Sequence, residues 1–135
     1  MALERIVKRF YDELENGKMM GRKCTRCGAV EFPPVLCCNE CSCMDMEWVE
    51  ISGKAEMTGF ALPGMLSTLP QNEEFQPYAL GAVKLEEGTE FNAIVSGVGR
   101  ANREEVLKKL PVPIKARIAP RDGYSMVVFD LVEEN

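Results

Sequence analysis

Apolar residues recur at Leu3, Ile6, Val7, Phe10 and Leu14, with Glu4, Arg5, Lys8, Arg9, Asp12, Glu13 and Glu15 between them. That spacing predicts an amphipathic helix of about four turns. Asn16-Gly17 closes it, because both residues tolerate the left-handed conformation. Lys18 to Lys23 reads as a short strand. From Met46 the period changes to two. Met46–Ile51 and Lys54–Leu62 alternate as strands around the Ser52-Gly53 turn. Pro63 to Pro77 has no period and holds Met65, Leu66, Leu69 and Phe75, too apolar for a solvated linker. Tyr78–Leu85 and Glu90–Val98 follow as strands joined by Glu86-Glu87-Gly88-Thr89. Asn102 to Leu110 predicts a short helix, with Asn102 as N-cap and Pro111 as its stop. Val112–Ala119 and Tyr124–Val132 complete the chain around Asp122-Gly123, a hairpin turn. Five strands with one short helix before the last pair suggest a small closed β-barrel in OB-fold order, with a small sandwich as the alternative.

Between the first helix and these strands lies a different kind of segment. Cys24-Thr25-Arg26-Cys27-Gly28 and Cys38-Asn39-Glu40-Cys41 are two CxxC pairs, ten residues apart. Each spacing lets a tight turn converge two thiolates, and two such knuckles place four sulfurs at the corners of a tetrahedron. The expectation is a structural, rubredoxin-like zinc ribbon with Zn²⁺ on Cys24, Cys27, Cys38 and Cys41. Cys37 competes with Cys38 for one corner, but only Cys38 repeats the two-residue spacer. Cys37 and Cys43 are otherwise free thiols. Phe32-Pro33-Pro34 stiffens the link between knuckles. Arg22, Lys23 and Arg26 lie near a site whose formal charge with Zn²⁺ would be −2. The expected division is residues 1–45, helix and ribbon, and residues 46–135, the barrel.

The chain has 135 residues, a net charge of −5 and no histidine. The missing histidine removes the commonest general base, every Ser-His or Cys-His dyad and every His-containing metal site. The acidic balance argues against a general nucleic-acid binder. Met1-Ala2-Leu3-Glu4-Arg5 lacks the apolar region of a signal peptide, and no apolar run approaches membrane-spanning length. A reducing, cytoplasmic setting with metal-held thiolates is expected.

The succession of a helix, Cys24-x-x-Cys27-Gly28, Phe32-Pro33-Pro34, Cys38-x-x-Cys41, Trp48-Val49-Glu50-Ile51-Ser52-Gly53-Lys54, Pro77-Tyr78-Ala79-Leu80-Gly81-Ala82-Val83-Lys84-Leu85 and Glu87-Gly88 resembles the zinc-ribbon plus OB-fold family known as DUF35. The resemblance runs over nearly the whole chain. Members bind thiolase-fold and related acyl-CoA enzymes as accessory subunits or scaffolds, and small members serve as zinc-finger subunits of thiolases, that of benzoylsuccinyl-CoA thiolase among them. Only the four cysteines carry over residue by residue. Gly53-Lys54-Ala55 departs from the family's frequent Gly-x-Gly.

The resemblance implies a non-catalytic subunit of a thiolase-type complex, with acyl-CoA at the shared interface. The helix stripe either packs on this chain's own ribbon or docks on a partner; in the second reading the partner-binding surface is the stripe and the Pro63–Pro77 loop, led by Phe10 and Phe75. Between Arg100 and Arg121 the chain has seven basic residues and two acidic ones. Lys115 and Arg117 in that stretch are candidates for coenzyme A phosphates, against a reading as ordinary surface charge. Two other classes stay open at this point. Ribbons and OB-folds also bind single-stranded nucleic acid, and a four-cysteine iron site would make a one-iron electron carrier.

Overall fold

Glu4 opens the first helix, α1 (Arg5–Glu15), in extended backbone. Its carboxylate accepts the N–H groups of Ile6 at 2.9 Å and Val7 at 3.4 Å, which the first helical turn leaves unpaired. The computed structural model describes residues 4–63 and 75–132, so Leu3 of the expected stripe lies outside the described residues. The stripe packs on its own chain. Leu14 is buried, and the Phe10 ring lies 5.7 Å from the ring of buried Phe32. Phe10, expected to lead a docking face, is half-buried, while Val7 and Tyr11 on the same helix stay exposed.

β1 (Met20–Cys24), β2 (Val30–Glu31) and β3 (Met46–Glu50) form an antiparallel sheet in the order β2-β1-β3. β1 is the central strand, and its register places Arg22 opposite both Glu31 and Trp48. Gly21 has no room for a side chain: a Cβ there would meet Glu31 O and Ile51 Cδ1 at 2.9 Å.

The remaining strands are β4 (Lys54–Ala61), β5 (Tyr78–Leu85), β6 (Glu90–Ser96), β7 (Val112–Arg121) and β8 (Tyr124–Leu131), with α2 (Arg103–Lys109) between β6 and β7. They close into a barrel in the order β4-β5-β6-β8-β7, with β4 paired to both β5 and β7 and β6 running parallel to β8. That is the OB-fold order expected from the pattern, and the sandwich is excluded. β5 shows why alternation works: Ala79, Gly81, Val83 and Leu85 turn inward, and Leu80, Ala82 and Lys84 do not. Met57, Val83, Val95, Ile114, Val128 and Phe129 fill the interior. Asn102 precedes α2 but does not cap it through its side chain. Its Oδ1 accepts the Gly99 N–H and its Nδ2 donates to Gly97 O, both at 2.8 Å, which ties down the turn before the helix.

Contacts divide the chain into two units. One runs to Gly53 and takes in Glu86–Thr89 and Ile118–Val127; the other comprises Lys54–Leu85, Glu90–Arg117 and the end of the chain from Val128. Among the described residues, no helix is long and apolar enough to cross a membrane.

Phe75 corrects the expected docking surface. It is 2% exposed, a core residue of the barrel unit, and its carbonyl accepts the Ser96 hydroxyl at 2.9 Å. Met65, Leu66 and Leu69 lie outside the described residues. Truncating a fully buried Phe typically costs about 3–5 kcal/mol. Phe75→Ala should therefore lower the unfolding free energy read from urea titration by that amount, whereas a surface position would move it by less than about 0.5 kcal/mol.

Candidate metal centre

Cys24 ends β1, and the chain turns at once. Its N–H donates to Ala29 O at 2.8 Å, and its carbonyl accepts the Gly28 N–H at 3.0 Å. The second knuckle repeats both bonds at the same offsets. Cys38 N–H donates to Cys43 O at 2.9 Å, and Cys38 O accepts the Ser42 N–H at 2.9 Å. The residue after each second cysteine must take positive φ: Gly28 at +80° and Ser42 at +64°. Glycine does this without strain; serine does not.

The two turns bring Cys24, Cys27, Cys38 and Cys41 together, with all four sulfurs within 4.8 Å of one another. Cys24 Sγ and Cys41 Sγ are 3.5 Å apart, as are Cys27 Sγ and Cys38 Sγ. Sulfurs about 2.3 Å from a central zinc ion at tetrahedral angles would stand about 3.8 Å from each other. The donor set therefore fits a four-coordinate thiophilic ion. Cys24 and Cys38 are buried, Cys41 is half-buried and Cys27 is exposed. Met46 packs behind the buried pair, with Ala29, Val35 and Cys43 around it. Cys37 is exposed and Cys43 Sγ accepts the Asp45 N–H at 3.4 Å; neither belongs to the cluster. Cys38, not Cys37, is the thiol that the second turn brings into the cluster.

The sulfurs do not share the proton load evenly. The Cys27 backbone N–H, 3.5 Å from Cys24 Sγ, together with that of Arg26 and the neighbouring thiols, lowers the Cys24 thiol to about 6 against the opposing effect of burial. At Cys41 the Cys43 backbone N–H pulls the same way, but burial and the other three sulfurs outweigh it and push the thiol up to about 12. Cys27 is also raised: its Ala29 backbone hydrogen bond is overcome by the Cys38 sulfur and burial. Without an ion, then, one thiolate forms readily and its charge opposes the next. A divalent cation removes that opposition.

Arg22 does not turn its charge on the cluster. Its Nη2 donates to Met46 O at 2.9 Å and its guanidinium lies 5.2 Å from the Trp48 ring centre. Lys115 and Arg117 are both exposed on β7. Arg117 is engaged: its Nε and Nη2 donate to the two Asp130 carboxylate oxygens at 2.8 and 3.2 Å. Lys115 stands opposite Lys54 in the β4–β7 register. The expectation passed over Trp48, which Arg9 also approaches, at 4.8 Å.

No family model matches the chain. Among solved structures, the Ltp2-ChsH2(DUF35) aldolase superposes over 97% of this chain and 98% of its own, with a TM-score of 0.73 and 20% identity. A DUF35 protein of unknown function from Sulfolobus solfataricus superposes over 95% of this chain and 86% of its own, with a TM-score of 0.61 and 18% identity. The fold is that of the DUF35 proteins. The DUF35 likeness takes in the whole ribbon and barrel, and at these identities it is a likeness of fold. In sequence, the chain is 24% identical over 98 residues, 72% of its length, to a probable enoyl-CoA hydratase alpha subunit from Thermomonospora curvata. It spans 30% of that relative's length.

The geometry sets three expected outcomes. Cys38→Ser should lose bound metal and unfold the ribbon, as should Ser at Cys24, Cys27 or Cys41, whereas Cys37→Ser and Cys43→Ser should keep full metal by elemental analysis. Because Cys24 is depressed below its ordinary 9.0, its stabilising effect is complete above that value and fades as pH falls through about 6. Metal affinity, read by competition with a chelator, should weaken as pH falls, because protons compete with the ion for all four thiolates. Separately, Ser42→Gly should stabilise the metal-loaded chain by up to about 1 kcal/mol in thermal melts, and Gly28→Ala should destabilise it by about 1–2 kcal/mol.

Proposed function

We propose that this chain is a non-catalytic accessory subunit of a thiolase-type acyl-CoA enzyme, with Zn²⁺ held by Cys24, Cys27, Cys38 and Cys41 as a structural ion. The observation that carries the proposal is the closure of the site. Four sulfurs from one chain saturate a tetrahedral ion and leave no position for water or substrate. Such a centre staples a fold and does not turn over a thioester. The chain also lacks histidine, so neither extra cysteine has an imidazole to activate it. What remains is a binding and assembly role. An all-sulfur tetrahedral donor set suits zinc, and iron is its main competitor.

The acyl-CoA setting is supported by the two named relatives. One joins a DUF35 component to an aldolase, and the other is named as a subunit of an enoyl-CoA hydratase. Coenzyme A phosphates would find Lys115 exposed on β7. They would have to displace Asp130 from Arg117, an exposed ion pair worth less than about 1 kcal/mol.

Purification of the chain from its native cells should bring down a thiolase-fold subunit in fixed ratio, with equimolar zinc and no visible absorbance. The isolated chain should leave acyl-CoA thioesters unchanged. Recovery of the chain alone at low and at high salt would overturn the subunit reading. A coloured iron–sulfur site in the native protein would overturn zinc.

A further inference from the structure

Trp48, the chain's sole tryptophan, lines a groove of about 910 Å³ with residues of α1, Arg22 of β1 and Leu36. Two guanidinium groups approach its ring, Arg9 at 4.8 Å and Arg22 at 5.2 Å. Arg22 is only partly satisfied. Its Nη2 has Met46 O, but its Nε is buried with no acceptor. The carboxylate opposite it on β2 does not supply one, because both Glu31 oxygens are engaged by Asn39 at 3.0 Å.

Two of the groove's three acidic residues are committed elsewhere. Glu4 caps α1, and Asp12 takes the Lys8 ammonium at 2.6 Å. Arg5, Arg9 and Arg22 line this groove, and none of them forms an ion pair with Glu13 or another carboxylate among the described residues. Leu36 beside them is 59% exposed. A concave surface that offers an indole and guanidinium groups without a carboxylate partner has the residue types that dominate protein–protein binding energy, and the exposed leucine adds apolar area. A guanidinium fork matches a carboxylate in two parallel hydrogen bonds.

We propose that this groove is a docking site for an acidic segment of a partner protein. A carboxylate of the segment meets Arg22 and Arg9, and an adjoining apolar side chain lies on Trp48 and Leu36. The groove's charge selects the class of occupant. Its lining has four cations and three carboxylates. That balance suits one carboxylate at a time and opposes a ligand with several clustered charges, such as a polyphosphate. The proposal rests on the accessory-subunit reading for the identity of the partner, and it adds where on this chain that partner is held.

The test uses Trp48 as its own reporter. The full, metal-loaded chain is titrated with a short peptide of alternating glutamate and leucine while indole emission is followed. A saturable change is expected, with a midpoint that rises with salt. The midpoint should rise at least tenfold in Arg9→Glu and in Arg22→Gln, and less in Arg22→Lys, which keeps the charge and loses the fork. Arg103→Gln on α2 should leave it unchanged. Each variant is first shown to hold the parent's metal content and circular dichroism. Arg9 is exposed, so Arg9→Glu keeps the test open if an Arg22 variant misfolds. Adenosine diphosphate should not move the emission. Saturation by adenosine diphosphate alone, no response to the peptide, or an equal response in Arg9→Glu each overturns the docking groove. No enzyme is present in the titration, so a failure to co-purify an acyl-CoA enzyme counts against the accessory reading and not against this result.

Discussion

The convergence of four sulfurs is the constraint on which the ribbon depends. The buried cluster there is Cys24, Cys38 and Met46, with a few small or half-buried residues packed on it. Burial on that scale cannot offset the entropy of ordering two turns and three short strands. A bound ion would supply the missing cross-link, and it would also remove the repulsion that keeps Cys41 from ionising beside Cys24. β1 then acts as the backbone of the ribbon, since both of its neighbours pair to it and its last residue is Cys24 of the sulfur cluster. The barrel rests on a different principle. Met57, Val95, Val128 and Phe129 are all but fully buried, and alternation along each strand supplies its interior.

How much of this was readable in the sequence follows from where the information lies. The knuckles were legible because a ligand spacing is chemistry written directly in residue type. The doubled hydrogen bonds around Cys24 and Cys38 show that spacing acting through the backbone. β5 was legible to the residue, because a half-buried strand must alternate. The OB order followed from one helix placed before the last two strands. Asn102 was legible as the residue before α2 but not in its bonding, since the same amide can serve the turn behind it. Phe75 was misplaced because composition shows that an irregular segment is apolar and does not show its depth. The Arg9–Trp48–Arg22 cluster was out of reach for another reason. It requires the β1–β3 register and the seat of α1 at once, and neither is encoded locally.

The likeness to DUF35 structures and the chemistry of the site speak to different questions. The superpositions establish the architecture at 20% and 18% identity, a level at which side chains are largely replaced. The four cysteines make a claim that stands without them. Any chain that places four sulfurs within 4.8 Å of one another, two of them buried, has a strong reason to bind a soft cation.

Closure of the barrel has a consequence for how this protein can be recognised. β4 is paired on both sides, and among the described residues the five strands close into a ring with no terminal strand. A partner cannot lengthen that sheet by laying down a strand of its own, the least selective form of protein association because it reads backbone alone. Contacts to the barrel must instead be made by side chains. Partner choice there can then diverge one residue at a time, without the scaffold changing shape.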